Sequence, residues 1–202
     1  MQCAQSNRVS DYRVKIIKTG YGKWLGPAQI QADCTITLIT GPHNIIVDTG
    51  GPWDKESILS ALSAEQIAPE NISFVVCTHG HSDHTGNNNL FPDATFIFGH
   101  DISHRDIYTI HDFESETYKI DEYIEVISTP GHTNADVSVI VRTNDGIIAI
   151  VGDLFENAYD KHFWHKFSDF PELQEANRKK ILELADFIIP GHGKMFKVRK
   201  II

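Results

Sequence analysis

Cysteine is scarce in this 202-residue chain: Cys3, Cys34 and Cys77 are an odd number, and no two form a CxxC pair. A disulfide framework and a thiolate-held structural zinc are therefore not expected, and a reducing compartment such as the cytosol is. Long apolar runs are also missing. The longest, IIAIV over 147–151, falls far short of the roughly 20 residues that cross a bilayer, so no membrane partner is expected. The opening residues, MQCAQSNRVSD, have neither a basic start nor an apolar stretch, so no signal peptide is expected either. Basic clusters are lacking too. Eighteen Lys and Arg against 27 Asp and Glu give a net charge of −9, which argues against broad electrostatic binding to duplex nucleic acid. Repeats, low-complexity tracts and Pro/Gly/Ser-rich linkers are absent, and the length suits one domain over 1–202.

Histidine, by contrast, is plentiful, with eleven in the chain. Apolar alternation and turn residues predict strands over 12–18, 34–40, 44–48, 73–77, 95–98, 124–127, 137–141, 147–151 and 187–189. Asp145-Gly146 marks a hairpin between two of them. Helices are expected over 52–64, near 87–90 and over 171–185. The last carries Leu173, Ala176, Ile181, Leu182 and Leu184 in helical register. Helices mixed with two runs of strands predict an α/β fold of two facing sheets with helices outside.

Carboxylates and imidazoles recur where apolar strands end. His79, His81, Asp83 and His84 follow SFVVC, and His132 lies in TPGHT. Asp153 follows IIAIV through Gly152, and His192 follows a strand through Pro190-Gly191. A rigid strand ending in a small-residue turn can hold a metal ligand in fixed geometry. A single histidine in a glycine turn is commonly a cap or packing residue. Three histidines and an aspartate within six residues are a different matter. Imidazole with carboxylate suits zinc, iron or manganese. In extended chain His79 and His81 point the same way and can grip one ion, while Asp83 and His84 could take a second. Seven ligands exceed one tetrahedral ion and suit two, with Asp153 able to bridge them.

THGHSDHTG, over 78–86, resembles the HxHxDH signature of the metallo-β-lactamase superfamily. The other stations follow in order: Asp48 in VDTG, His132 in PGHT, Asp153 in VGD and His192 in PGHG. The resemblance implies a four-layer αββα sandwich. It implies that His79, His81 and His132 hold one divalent ion, that Asp83, His84 and His192 hold another, and that Asp153 bridges. Zinc is the expected metal, with iron or manganese as alternatives. Asp48 is expected to accept hydrogen bonds that fix the ligand loop. A hydroxide shared by the two ions is the expected nucleophile, with Asp83 and Asp153 as catalytic carboxylates.

Departures from the family pattern narrow the branch. Common β-lactamases place cysteine where this chain has Asp153. Glyoxalase II enzymes add a helical domain, which the ten residues after His192 do not supply. VDTGGPW over 47–53, LFPDA over 90–94 and GDLFE over 152–156 are similar to a small-chain branch. Its members act as zinc-dependent endoribonucleases on histone pre-mRNA in cytosol and nucleus. An RNA substrate, a cytosolic or nuclear location and a homodimer are thus implied by resemblance. A small-molecule thioesterase or lactonase using the same centre is the alternative, and a non-catalytic metal-binding module is a third. The segment 157–167 mixes basic and aromatic residues, and Lys161, His162 and Lys166 are its candidate substrate contacts.

Overall fold

Apolar residues that alternate along the strands sort themselves into three buried interfaces, and these define four layers. The computed structural model describes residues 10–160 and 162–199. From β1 (Arg13–Lys18) the chain makes a hairpin of β2 (Tyr21–Gly26) and β3 (Gln29–Asp33). It then runs through β4 (Ile36–Thr40) and β5 (Ile45–Val47) into α1 (Lys55–Ala64). Next come β6 (Phe74–Cys77), β7 (Thr95–Phe98), β8 (Asp101–His104) and β9 (Ile107–Thr109). The second half holds β10 (Tyr118–Lys119), β11 (Ile124–Ser128), β12 (Val137–Thr143) and β13 (Gly146–Ile150). It ends with α2 (Pro171–Leu184), β14 (Phe187–Ile189) and β15 (Phe196–Lys197).

One sheet has the order β1-β4-β5-β6-β7-β8-β9, and the other runs β10-β11-β12-β13-β14-β15. Between them lie Ile39, Val47, Val76 and Ile97 of the first sheet and Val126, Val139, Ile150 and Ile189 of the second. The residues that alternate with these face outward. Ile36, Leu38, Ile46 and Val75 pack with Ile58 and Leu62 of α1. Ile140, Ala149 and Ile188 pack with Ile181 of α2 and with Ala185. The period of two along each strand therefore builds the αββα sandwich.

Parallel pairing then assembles one functional edge. β5, β6 and β7 are parallel neighbours, as are β13 and β14. Their carboxyl ends deliver Asp48, His79, Asp153 and His192 to the same rim, where ligands of such sheets collect. The sheets are joined there as well: Val137 N donates to the Thr78 carbonyl across the sandwich, at 2.9 Å.

Three expectations change. The segment near 87–90 makes only a short 3-10 turn, Asn88–Leu90. Asn87 Nδ2 donates to the Thr49 and Gly51 carbonyls, both at 2.7 Å, and these ties from another loop override helix continuation. On α2, Leu173 and Leu182 are exposed and Ala176 faces solvent, whereas Gln174 is fully buried beside Ile181. The surface hairpin β2–β3, the strand β8 and the edge strand β9 also appear where no strand is expected from alternation alone. Among the described residues no helix is long and apolar enough to cross a membrane.

Leu62 anchors α1 to the first sheet and has no exposed surface. Leu62→Ala should lower the unfolding free energy by about 2–5 kcal/mol in urea titrations. A loss under about 1 kcal/mol would mean that the α1 interface is not close-packed.

Candidate metal centre

Each candidate ligand sits just beyond a strand whose core residues leave it little freedom. Thr78, immediately after β6, turns the chain. Its N–H donates to Asp48 Oδ1 at 2.8 Å, and its hydroxyl lies 3.0 Å from Asp48 Oδ2. Asp48 itself adopts φ 60°, a left-handed conformation that non-glycine residues rarely take. Its Oδ2 also meets His84 Nδ1 at 2.9 Å, so one carboxylate fixes both ends of the His79–His84 loop. Gly152 is required by the same packing: its φ is +51°, and a Cβ there would overlap the Thr78 side chain.

The seven side chains converge in two groups. His79, His81, His132 and Asp153 form the first, and Asp83, His84 and His192 the second. His79 Nε2 and His132 Nε2 stand 2.9 and 3.1 Å from His81 Nδ1, so three ring nitrogens face one another. Asp153 joins the groups. Its Oδ2 lies 3.2 Å from His192 Nε2, 3.4 Å from His132 Nε2 and 3.7 Å from His79 Nε2. Its Oδ1 lies 3.4 Å from His84 Nε2. Asp83 Oδ2 is 3.8 Å from His192 Nε2 and is the most exposed carboxylate of the seven.

The donor set fits divalent cations. Among the described residues, His84 Nε2 and Asp153 Oδ1 are buried without a hydrogen-bond partner, although they face each other across the centre. Buried polar atoms are normally satisfied, and a cation between such atoms would satisfy both. Electrostatics points the same way. Burial holds the His79 and His132 imidazoles below their usual range, which favours the neutral form that ligates. Burial would raise the Asp153 carboxyl, but His192, His84 and His79 outweigh it and keep it well below the carboxylate range. For His84, burial is outweighed by Asp153 and Asp48 together, and the imidazole rises; for His192 it is outweighed chiefly by Asp153, which pushes it up to about 10. Those two protons are what a cation would displace, because it replaces them as the partner of the carboxylate.

Several residues that support the ligands were not legible as such. Asp136 Oδ2 accepts from Gly131 N and Thr133 N at 3.0 and 2.7 Å, and its Oδ1 accepts from the Thr133 hydroxyl at 2.6 Å. It thereby closes the loop that carries His132. Its only sequence signal is an Asp three residues after a Thr. His192 Nδ1 lies 2.9 Å from the Asp33 carbonyl. The Asp33 side chain in turn accepts from Lys18 Nζ at 2.5 Å and Trp53 Nε1 at 2.8 Å. Glu156, three residues after Asp153, groups with Asp153 and His192. Burial first, and the Asp153 charge second, push it up to about 8.

A cleft of about 490 Å³ opens onto the centre. His81, Asp83, His132, Asp153 and His192 form its floor. Trp24 and Ile30 of the β2–β3 hairpin form one wall, and Tyr159, Phe163 and Phe167 the other. The Trp24 and Phe167 rings approach to 6.0 Å. Lys166 Nζ lies 5.2 Å from the Phe163 ring centre and 5.9 Å from that of Trp24. His162 is exposed outside the cleft lining, and Lys161 lies outside the described residues. Of the other histidines, His100 stacks on Phe113 and His165 on Trp164.

The chain is similar to known proteins over most of its length. Residues 31–122 match the family model described as the metallo-beta-lactamase superfamily. The metallo-beta-lactamase domain-containing protein 1 of Xenopus laevis is 43% identical over 195 residues, covering 95% of this chain and 84% of the relative. Among solved structures, a quorum-quenching N-acyl homoserine lactone lactonase superposes with a TM-score of 0.65 at 19% identity, covering 91% of this chain and 92% of that one. The mono-zinc form of the metallo-β-lactamase FIM-1 of Pseudomonas aeruginosa gives a TM-score of 0.65 at 16% identity, covering 88% and 84%.

Lys18 holds Asp33 ionised behind His192. Burial raises the Asp33 carboxyl, but the Lys18 hydrogen bond and charge, with the hydrogen bond from Trp53, together outweigh it and bring the pKa below its usual value. A depressed carboxyl contributes stability that is present above its ordinary pKa and lost as pH falls through the folded value. Lys18→Met should therefore be less stable than the parent at pH 7, and the gap should close below about pH 4. Urea midpoints from pH 7 to pH 3 check this; a gap that stays constant would contradict it.

Proposed function

Since the chain belongs to the metallo-β-lactamase superfamily, whose members are metal-dependent hydrolases, we propose that it is a hydrolase working through two divalent ions, zinc first among them. The observation that carries this reading is Asp153, whose carboxylate stands between the two groups: Oδ1 lies 3.4 Å from His84 Nε2, and Oδ2 lies 3.2 Å from His192 Nε2 and 3.4 Å from His132 Nε2. His79, His81 and His132 would hold one ion, Asp83, His84 and His192 the other, and Asp153 both. Two bound ions would supply a water of lowered pKa and stabilise charge on the attacked group. Asp83 lines the cleft, where its carboxylate can orient the attacking water and accept its proton. Asp48, through Thr78 and His84, keeps the imidazoles aimed.

For the substrate we favour a phosphodiester in single-stranded RNA. The aromatic lining of Trp24 on one wall and Phe163 and Phe167 on the other, with Lys166 over two of the rings, combines base stacking with a cation for phosphate. A second reading, a small-molecule thioester or lactone, is favoured by the size of the cleft and by the acidic Glu156 and Asp160 on its lining. The chain's location, in cytosol or nucleus, and a homodimer are part of the first reading.

Protein stripped by chelator should lose hydrolysis and regain it with zinc, iron or manganese. Activity that survives complete stripping would defeat the two-ion reading. Side-by-side turnover of single-stranded RNA and a thioester and lactone panel separates the two substrates. If RNA is cleaved, alanine at Lys161, His162 and Lys166 together should raise KM about tenfold with kcat kept, equivalent to about 1.4 kcal/mol of binding. An unchanged KM would remove these side chains from the substrate site.

A further inference from the structure

Gln174 breaks the pattern of its helix. It is fully buried on α2, while Leu173 beside it is 44% exposed. Its Oε1 is buried without a hydrogen-bond partner among the described residues, so its amide is only half satisfied. An apolar side chain of similar size would spare that cost but leave the buried Asp153 carbonyl without its donor. Glutamine at this position is thus chosen for what its amide ties together, and sites that break a local rule are expected where function is served.

The other half of the amide shows what it does. Gln174 Nε2 donates to the Asp153 carbonyl at 2.9 Å and reaches the Leu154 carbonyl at 3.3 Å. The backbone of the same residue is seated against the His132 loop: a Cβ at Gly131 would overlap the Gln174 Cα. The chain entering the helix ties into that loop as well. Phe170 N donates to the Gly131 carbonyl at 2.9 Å, and Asp169 N to the His132 carbonyl at 3.1 Å. One helical turn further on, Asn177 Nδ2 donates to the Pro130 carbonyl at 2.7 Å. Arg178 Nη1 donates to the Leu154 carbonyl, also at 2.7 Å. The first turns of α2 thus grip two loops at once, and Gln174 is the residue that touches both.

We infer that Gln174 is a positioning residue, which sets the spacing between His132 and Asp153 by locking both of their loops to α2. Its amide donates to backbone carbonyls, and its side chain does not line the cleft. Its effect passes through the Asp153 carbonyl to the carboxylate that joins the two ligand groups. The inference rests on the two-ion reading, and the measurement distinguishes the failure of either.

Gln174→Leu and Gln174→Met are compared with the parent for melting temperature without metal, zinc affinity by competition with a chromophoric chelator, and the visible spectrum of the cobalt-loaded protein. Fewer than two cobalt or zinc ions in the parent would overturn the two-ion reading and, with it, the basis of this one. With two ions in the parent, both variants should stay folded without metal, with only the modest fall in melting temperature that one unpaired buried carbonyl brings. They should bind metal about 10–100-fold more weakly, as expected on losing an outer partner of a ligand, and show a shifted cobalt spectrum. Parent-like affinity and spectrum in either folded variant would overturn the inference. So would a fall in metal-free melting temperature that accounts for the metal loss in both, because glutamine would then be serving the fold alone.

Discussion

Everything in this molecule that bears on chemistry depends on placing one buried carboxylate, Asp153, among four imidazoles. In water that cluster would disperse. In the fold it is held because β13 and β14 run parallel and end side by side, which puts Asp153 and His192 on one rim. The surrounding backbone approaches so closely that Gly191 and Gly152 admit no side chain: a Cβ at 191 would run into Asp153 itself. A buried carboxylate ordinarily moves its pKa up; this one is held down by the surrounding histidines. Such an arrangement is costly unless it is completed by cations, and so the donor geometry and the electrostatics lead to the same conclusion.

The ligand loops are stiffened from behind by a shell of carboxylates and carbonyls. Asp48 serves the His79–His84 loop, Asp136 the His132 loop, and the Asp33 carbonyl His192. Trp53, of the GGPW segment, ties to Asp33, so that motif supports His192 from outside. Phe91 and Ala94, of LFPDA, are buried in the core beneath α1. Neither segment lines the cleft, and the substrate question passes to the β2–β3 hairpin and to 157–167.

Much of this was legible in the sequence where burial on both faces leaves a strong apolar pattern. SFVVC, IIAIV and FII each gave a strand and, directly after it, a candidate ligand. The β2–β3 hairpin was not legible, because Trp24, Leu25 and Ile30 are solvent-facing and mix with polar neighbours. β10 and β15, two residues each, exist only through their sheet partners. Helix periodicity misplaced the buried face of α2 because the deciding contact is polar: Gln174 is drawn inward by backbone carbonyls of another segment. Asp136 and Glu156 stayed unremarkable in sequence for a similar reason, since an isolated acid gives no sign of what it will face.

The central claim is that this chain holds two ions joined by Asp153. Anomalous diffraction at the zinc edge from crystals grown with zinc tests it most directly. Two peaks are predicted, one among His79, His81 and His132 and one among Asp83, His84 and His192, with Asp153 in contact with both. A single peak under saturating zinc, or peaks away from these side chains, would contradict the account.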